Sequence, residues 1–333
     1  MIVPCLNEEE ALQTTNVRLL ALLMAMEERG DTAPGSFLLY VDDGSDDATW
    51  KTIQEMAGGR VHGIRLSRHC GHQEALLAGM EYARGRCDAC VTIDADLQDD
   101  IRVIPEMVER YREGAEIVFG VRDSRKSDSW FKRSSAKVFY SAMRGLGAHT
   151  VDNHADFRLL GSRAMADLMD YGERNLFLRG IVPLLGYRQE SVAYERDRRK
   201  AGSSKYPLLR MVDFAINGIT SFSVRPVRLL SIIGMAFILV AFCIFVYVMV
   251  RHFSGETIEG WTSLMLSIWF CTGMMLMGLG LIGEYVGKIY IEVKRRPLYR
   301  ISETAGADDF IDVKDDSDEL QKMELVKDLH AGE

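Results

Sequence analysis

Two scales of apolar patterning divide the chain. Through residues 1–200, short apolar runs alternate with helix-length amphipathic stretches. Nearer the C-terminus, two much longer runs carry no charge at all. The short runs Phe37–Val41, Ala89–Ile93 and Glu116–Gly120 read as strands. Helical spacing covers Glu8 to Glu28, Ala48 to Met56, Gln73 to Ala83 and Ile101 to Glu113. Strand–helix alternation predicts an α/β domain with a parallel sheet covered by helices. Ligands of such sheets bind beyond the carboxyl ends of the strands. Acidic clusters follow two of the three runs, at Asp42-Asp43 and Asp94-Ala95-Asp96. No internal repeat is evident.

The long runs are Leu229–Val250 and Trp261–Ile282, each of 22 uncharged residues. At ~1.5 Å per residue each reaches roughly 33 Å, enough for a hydrocarbon core of about 30 Å. Buried core helices are the alternative, but such helices are rarely apolar on every face. The loop 251–260 holds one Arg, one His and two Glu. Arg225 and Arg228 precede the first run, and Lys288, Lys294, Arg295, Arg296 and Arg300 follow the second. The positive-inside rule therefore predicts a multi-pass hairpin in the cell (inner) membrane, with an external loop and both termini cytoplasmic. The start, Met1-Ile2-Val3-Pro4-Cys5, is no signal peptide, so the domain before the hairpin is expected in the cytoplasm.

Between domain and hairpin, Leu208, Leu209, Met211, Val212, Ala215, Ile216, Ile219 and Phe222 recur at near-helical spacing. The segment 204–228 is expected as an amphipathic helix at the membrane interface, with an ordinary core-facing helix as the alternative. The predicted organisation is a catalytic domain over 1–203, the interfacial helix 204–228, spans at 229–250 and 261–282 joined by 251–260, and a juxtamembrane segment with an acidic tail over 283–333. Gly283-x-x-x-Gly287 permits close helix packing, and a homo-oligomer is expected.

Charge sharpens this picture. The formal net charge is −8, and residues 302–333 alone hold eleven acids against three bases. The rest of the chain is balanced, so no nucleic-acid partner is expected. Six cysteines in 333 residues make no disulfide framework. Cys87-Asp88-Ala89-Cys90, with His69, Cys70 and His72 upstream, invites a zinc or redox reading, but the pair leads into a strand rather than a helix. His72 and Gln73 are expected to open a helix beside the ligand.

Asp94 and Asp96, spaced i, i+2 after a strand, can converge on one hard cation, with Gln98 adding a carbonyl oxygen. An isolated D-x-D is more often a solvated turn. A second acidic strand end about fifty residues upstream, Asp42-Asp43-Gly44-Ser45, favours a nucleotide site with one edge for base and ribose and another for metal and phosphates.

Together these residues resemble a known family. Pro4-Cys5-Leu6-Asn7-Glu8-Glu9 resembles the P-x-x-N-E-E opening of family-two inverting glycosyltransferases of the GT-A fold, a Rossmann-like nucleotide-sugar domain. Asp42–Ser45 and Asp94–Asp99 follow in the family's order and spacing. Leu66–Gln73 is similar to its L-S-R-N-F-G-H-Q, Asp156–Leu160 to D-F-R-L-L, and Arg199–Tyr206 to R-x-A-G-E-S-K-Y. Gly283–Tyr290 is similar to the end of the family's two-helix anchor. The subgroup resembled is the polyprenyl-phosphate glycosyltransferases, similar to dolichol-phosphate mannose synthases and bactoprenol glucosyltransferases. The likeness runs from residue 1 to about 300. His69-Cys70 replaces the usual Asn-Phe, and Ser203 the usual Glu.

The resemblance implies nucleotide contacts at Pro4, Leu6, Asn7, Glu8, Asp42, Asp43 and Asp94, and Mg²⁺ or Mn²⁺ held by Asp94, Asp96 and Gln98. Arg122, Arg133 and Ser134 would meet phosphates, and Arg199 and Lys205 would lie in a loop closing over both substrates. Asp156 would orient the acceptor loop or act as base. The implied reaction moves a sugar from a nucleotide diphosphate donor, with UDP-glucose favoured, to a polyprenyl (undecaprenyl) phosphate at the bilayer surface. Galactose, N-acetylglucosamine, an aminoarabinose derivative and mannose stay open as sugars. A non-catalytic nucleotide-sugar-binding membrane adaptor and a processive polysaccharide synthase are the rivals; the synthase's Q-x-x-R-W signature is missing.

Overall fold

A computed structural model describes residues 1–122, 154–174, 178–194 and 260–306, with isolated positions between 227 and 250. Its centre is an eight-stranded sheet in the order β7-β5-β6-β4-β1-β2-β3-β8. The strands are β1 (Ile2–Cys5), β2 (Leu38–Asp42), β3 (Val61–Leu66), β4 (Ala89–Thr92), β5 (Ile117–Arg122), β6 (His154–Gly161), β7 (Gln189–Tyr194) and β8 (Ile301–Ala305). The helices are α1 (Leu12–Glu28), α2 (Thr49–Met56), α3 (His72–Ala83), α4 (Ile104–Arg112), α5 (Ser162–Asp170), α6 (Leu178–Ile181) and α7 (Trp261–Lys294).

Strand alternation sorts the core into two layers. Val3, Cys5, Leu38 and Tyr40 face one side of the sheet, where Leu12, Leu19, Leu23 and Met26 of α1 recur at helical spacing. Ile2, Leu39 and Val41 face the other, against Ala75, Leu76, Ala78 and Met80 of α3. Each fully buried Leu, Ile or Met contributes about 1.5–3 kcal/mol. Gly79 lets α3 approach closely, since a Cβ there would lie 2.4 Å from Ile2 Cγ2.

The three predicted strands and four predicted helices form, with shifted ends. Helix α1 begins at Leu12 rather than Glu8, because the backbone of residues 7–9 is tied to the loop after β2. The sheet is not wholly parallel as expected. β6 runs antiparallel to β4 and β5, and β8 antiparallel to β3. Strand β3 escapes the apolar pattern because His62, Gly63 and Arg65 interrupt it.

The largest difference lies after the second long run. Helix α7 continues past Ile282 to Lys294, and the chain then returns as strand β8 on the sheet's edge. The start of the expected acidic tail is thus an edge strand of the central sheet. Ile301-Ser302-Glu303-Thr304-Ala305 is too polar to read as a strand, and its edge position explains why it can be. Among the described residues, one helix is long and apolar enough to cross a membrane, with its qualifying stretch at Phe270–Lys294. Its apolar side chains, Met275, Leu276, Met277 and Leu279 among them, are exposed. Described positions from Ile232 to Val250 are helical. The loop 251–259, residues 204–226 and the tail from 307 lie outside the described residues, so the two-helix hairpin and interfacial helix stay expectations.

Candidate active site

Strand order places the site. From β1 the chain passes to β2 on one side, whereas β4 lies on β1's other side, so the carboxyl ends of β1 and β4 meet at a topological switch point. The loops after β1, β2 and β4 carry the three sequence motifs.

The first two loops interlock. The backbone N–H of Asn7 donates to Ser45 Oγ at 3.0 Å, and Asp46 N–H donates back to Asn7 Oδ1 at 3.0 Å. Glu8 N–H reaches Thr49 Oγ1 at 2.8 Å, and Glu9 Oε2 accepts from Ala48 N–H at 2.8 Å. Asn7 sits at φ 54°, a left-handed conformation that asparagine tolerates. Gly44, at φ +70°, is required for a second reason: a Cβ would stand 2.5 Å from the Arg68 carbonyl carbon. Pro4 is buried within β1, while Leu6 is exposed above it.

The two acidic residues ending β2 take different parts. Asp43 is buried and saturated by the 69–71 loop. It accepts from Cys70 N–H at 2.7 Å and Gly71 N–H at 3.0 Å, and His69 Nδ1 lies at 2.8 Å. Asp42 accepts from Ser45 N–H at 3.2 Å, and its other oxygen faces Arg65 Nε at 3.2 Å. Burial raises the Asp42 carboxyl, partly offset by Ser45 and Arg65.

After β4, Thr15 on α1 donates to the Ala95 carbonyl at 2.6 Å and anchors the Asp94–Asp99 loop from beneath. Leu97 adopts φ 47°, which turns the chain back. Gln98 donates to Asp96 from its backbone and, at 2.5 Å, from its amide. Burial raises the Glu8 carboxyl, and the charges of Asp96, Asp47 and Asp94 raise it further. Negative charge is therefore concentrated where a cation would neutralise it. Among the described residues no three His, Cys, Asp or Glu side chains close a metal site by themselves. Asp94, Asp96 and Gln98 are the oxygen-bearing side chains on this loop that would hold a Mg²⁺ or Mn²⁺ ion.

Facing this loop, the structure joins residues of three sequence motifs, Asp156 and Arg158, His72, and Asp94, to Arg179, which lies in none. Asp156 on β6 pairs with Arg158 Nη2 at 2.5 Å and with Arg179 Nη2 at 2.9 Å. His72 links it to the acidic loop, with Nε2 3.1 Å from Asp94 Oδ1 and Nδ1 3.9 Å from Asp156 Oδ2. Burial opposes ionisation of Asp156, but Arg158 and Arg179 outweigh it and hold the carboxyl well below the usual carboxylate range. A group so acidic is a poor general base near neutral pH. Arg179 also feels the charges of Arg122 and Asp94. Arg122 ends β5 and is pinned by buried Asp99, 3.2 Å from its Nη2, and by Tyr194, whose hydroxyl donates to Asp99 at 2.6 Å.

Arg133, Ser134, Arg199 and Lys205 lie outside the described residues. Cys90 is buried on β4 with its thiol pushed up to about 12 by burial, and Cys87 is partly buried and also raised. Sequence reasoning missed Arg179, whose surroundings carry no motif. It named His72 without its bridging role.

The model "Glycosyl transferase family 2" matches residues 1–168. The chain belongs to glycosyl transferase family 2. The transferase is 48% identical over 303 residues to the glycosyltransferase YkoT of Bacillus subtilis (strain 168), covering 90% of each chain. It is 36% identical over 310 residues to the SfII prophage-derived bactoprenol glucosyl transferase of Shigella flexneri, covering 91% of this chain and 97% of that one. Among solved structures, S. aureus TarS 1-349 aligns with 59% of this chain and 58% of that one, at 12% identity and a TM-score of 0.37. The family and these relatives make the chain a glycosyltransferase on a GT-A-like α/β sheet.

Proposed function

We propose that this glycosyltransferase moves a sugar, with glucose from UDP-glucose favoured, onto a polyprenyl phosphate at the cytoplasmic face of the membrane, with inversion and dependence on a divalent metal. The observation that carries this reading is the near full-length similarity to a bactoprenol glucosyl transferase, in a chain whose long apolar helix exposes its side chains. An acceptor with a polyprenyl tail stays in the bilayer, so its enzyme must work at that surface.

Asp94, Asp96 and Gln98 would hold the metal, which supplies positive charge for the departing diphosphate. Asn7, Glu8 and Asp42 serve the nucleotide, and Asp43 braces the loop beside it. The acceptor phosphate, with a second pKa of about 6, is already largely dianionic and needs no base. Asp156 accordingly acts as a fixed anion that orients Arg179 and His72. Arg122, Arg133, Ser134, Arg199 and Lys205 are assigned to the phosphates, where a guanidinium binds oxygens bidentately. The oligomeric anchor, with Gly283 and Gly287 at a helix contact, belongs to the same reading.

The test is release of nucleoside diphosphate by purified protein, given a panel of nucleotide sugars and undecaprenyl phosphate. Turnover with UDP-glucose and formation of a lipid-linked glucose support the reading. Release of nucleotide without a lipid product sinks the acceptor assignment, and turnover with a different sugar alone reassigns the donor.

A further inference from the structure

The strand that follows the anchor helix reaches the nucleotide end of the sheet through side chains. Glu303 on β8 is the direct cross-strand partner of Arg65 on β3. Its Oε1 accepts from Arg65 Nη1 at 3.0 Å, and its Oε2 accepts from Trp50 Nε1 on α2 at 2.9 Å. The strand itself is held by Ser67 N–H donating to the Arg300 carbonyl at 2.9 Å. Glu303 is therefore fixed on both oxygens, and it fixes one arm of Arg65.

The other arm of Arg65 faces Asp42. Nε lies 3.2 Å from Asp42 Oδ2, yet that oxygen is buried without a hydrogen-bond donor, so the N–H is not aimed at it. The contact is ionic and one-sided. An arginine free to turn would close its planar fork over both carboxylate oxygens. Here one oxygen is taken by Ser45 N–H and the second keeps an open lone pair. Asp42 has no exposed surface of its own, and Arg65 beside it keeps 33% of its side chain exposed.

We propose that Glu303 is a positioning residue for the nucleotide: by holding Arg65 Nη1, it prevents bidentate closure on Asp42 and leaves Asp42 Oδ2 to accept from an N–H or O–H of a nucleoside diphosphate. The proposal rests on reading Asp42 as a nucleotide contact. It makes the strand beyond the membrane helix a working part of the donor half-site. Anchor and donor half-site are then coupled through three side chains, Glu303, Arg65 and Asp42, with Trp50 bracing the first.

The experiment is calorimetric titration of the full-length detergent-solubilised protein with UDP and GDP in Mg²⁺, carrying forward whichever binds the wild type more tightly. The variants are Glu303→Gln, Asp42→Asn and the pair combined, each with a melting curve. Expected is a weakening of about five- to tenfold in Glu303→Gln, a comparable or larger loss in Asp42→Asn, and no further loss in the combined variant. The KM for donor should rise in Glu303→Gln while the KM for polyprenyl phosphate holds. A lowered melting temperature with unchanged nucleotide affinity in Glu303→Gln overturns the proposal and leaves Asp42 as a contact. Additive losses overturn it too, since the effect then bypasses Asp42. Unchanged affinity in Asp42→Asn removes the nucleotide reading of that residue, and the proposal falls with it.

Discussion

Asp156 Oδ1 stands 2.5 Å from Nη2 of Arg158, a guanidinium with no solvent exposure. Such a pair is costly to break from one side, because the surviving charge is left buried. Asp156→Asn should lower stability by about 3 kcal/mol at pH 7, measured by urea unfolding. The folded pKa lies below the unfolded value near 3.9. The ionic contribution is therefore fully present above that value and lost as pH falls through it toward the folded pKa. The gap between wild type and variant should narrow below about pH 4. A gap unchanged down to pH 3 would contradict the ionic account.

The metal assignment predicts that Asp96→Asn costs on the order of 10²-fold or more in turnover, the scale of losing a principal electrostatic stabiliser. Wild-type activity should vanish in excess chelator and return with Mg²⁺ or Mn²⁺. Full turnover in chelator would remove the metal from the reaction.

Asp43 is expected to matter through the 69–71 loop rather than by touching the nucleotide. Asp43→Ala leaves the Cys70 and Gly71 N–H groups and His69 without their acceptor. A loss of roughly 2–3 kcal/mol follows from orphaned donors. Asp43→Asn keeps one acceptor oxygen and should recover part of it. Equal melting temperatures for wild type and Asp43→Ala would show that the loop does not depend on this carboxylate.

The loop 199–206 combines Arg199 and Lys205 with Gly202 and small serines. Arg199→Ala should lower turnover much more than affinity for free nucleoside diphosphate, and Lys205→Ala should raise the apparent requirement for polyprenyl phosphate. Steady-state kinetics with separate calorimetry decides it. Wild-type behaviour in both variants would transfer the phosphate-gripping role to Arg122 and Arg133.

Topology is tested independently of chemistry. A cysteine placed within residues 254–259 should react with an impermeant reagent added outside intact cells, and one placed beyond residue 307 should not. The reverse pattern would put the catalytic domain on the face away from cytosolic donors.

What the sequence determined by itself was local and periodic. Alternating short apolar runs and amphipathic helices dictate the α/β layering, because Leu38 and Tyr40 must face one way and Leu39 and Val41 the other. Asp42-Asp43 and Asp94-Ala95-Asp96 were legible because their acidity interrupts strand ends, where these sheets bind ligands. Pairing between distant segments was not legible. No period in the chain tells that Ile301–Ala305 returns from beyond α7 to pair with β3, or that β6 runs antiparallel. Nor does the composition around Arg179 tell that it joins Arg158 on Asp156. These contacts depend on the free energy of burying charges together and closing long loops, which only the tertiary arrangement decides. The same reason separates Asp42 from its neighbour Asp43. They are adjacent acids in the sequence, but the fold saturates Asp43 with loop donors and leaves an oxygen of Asp42 open.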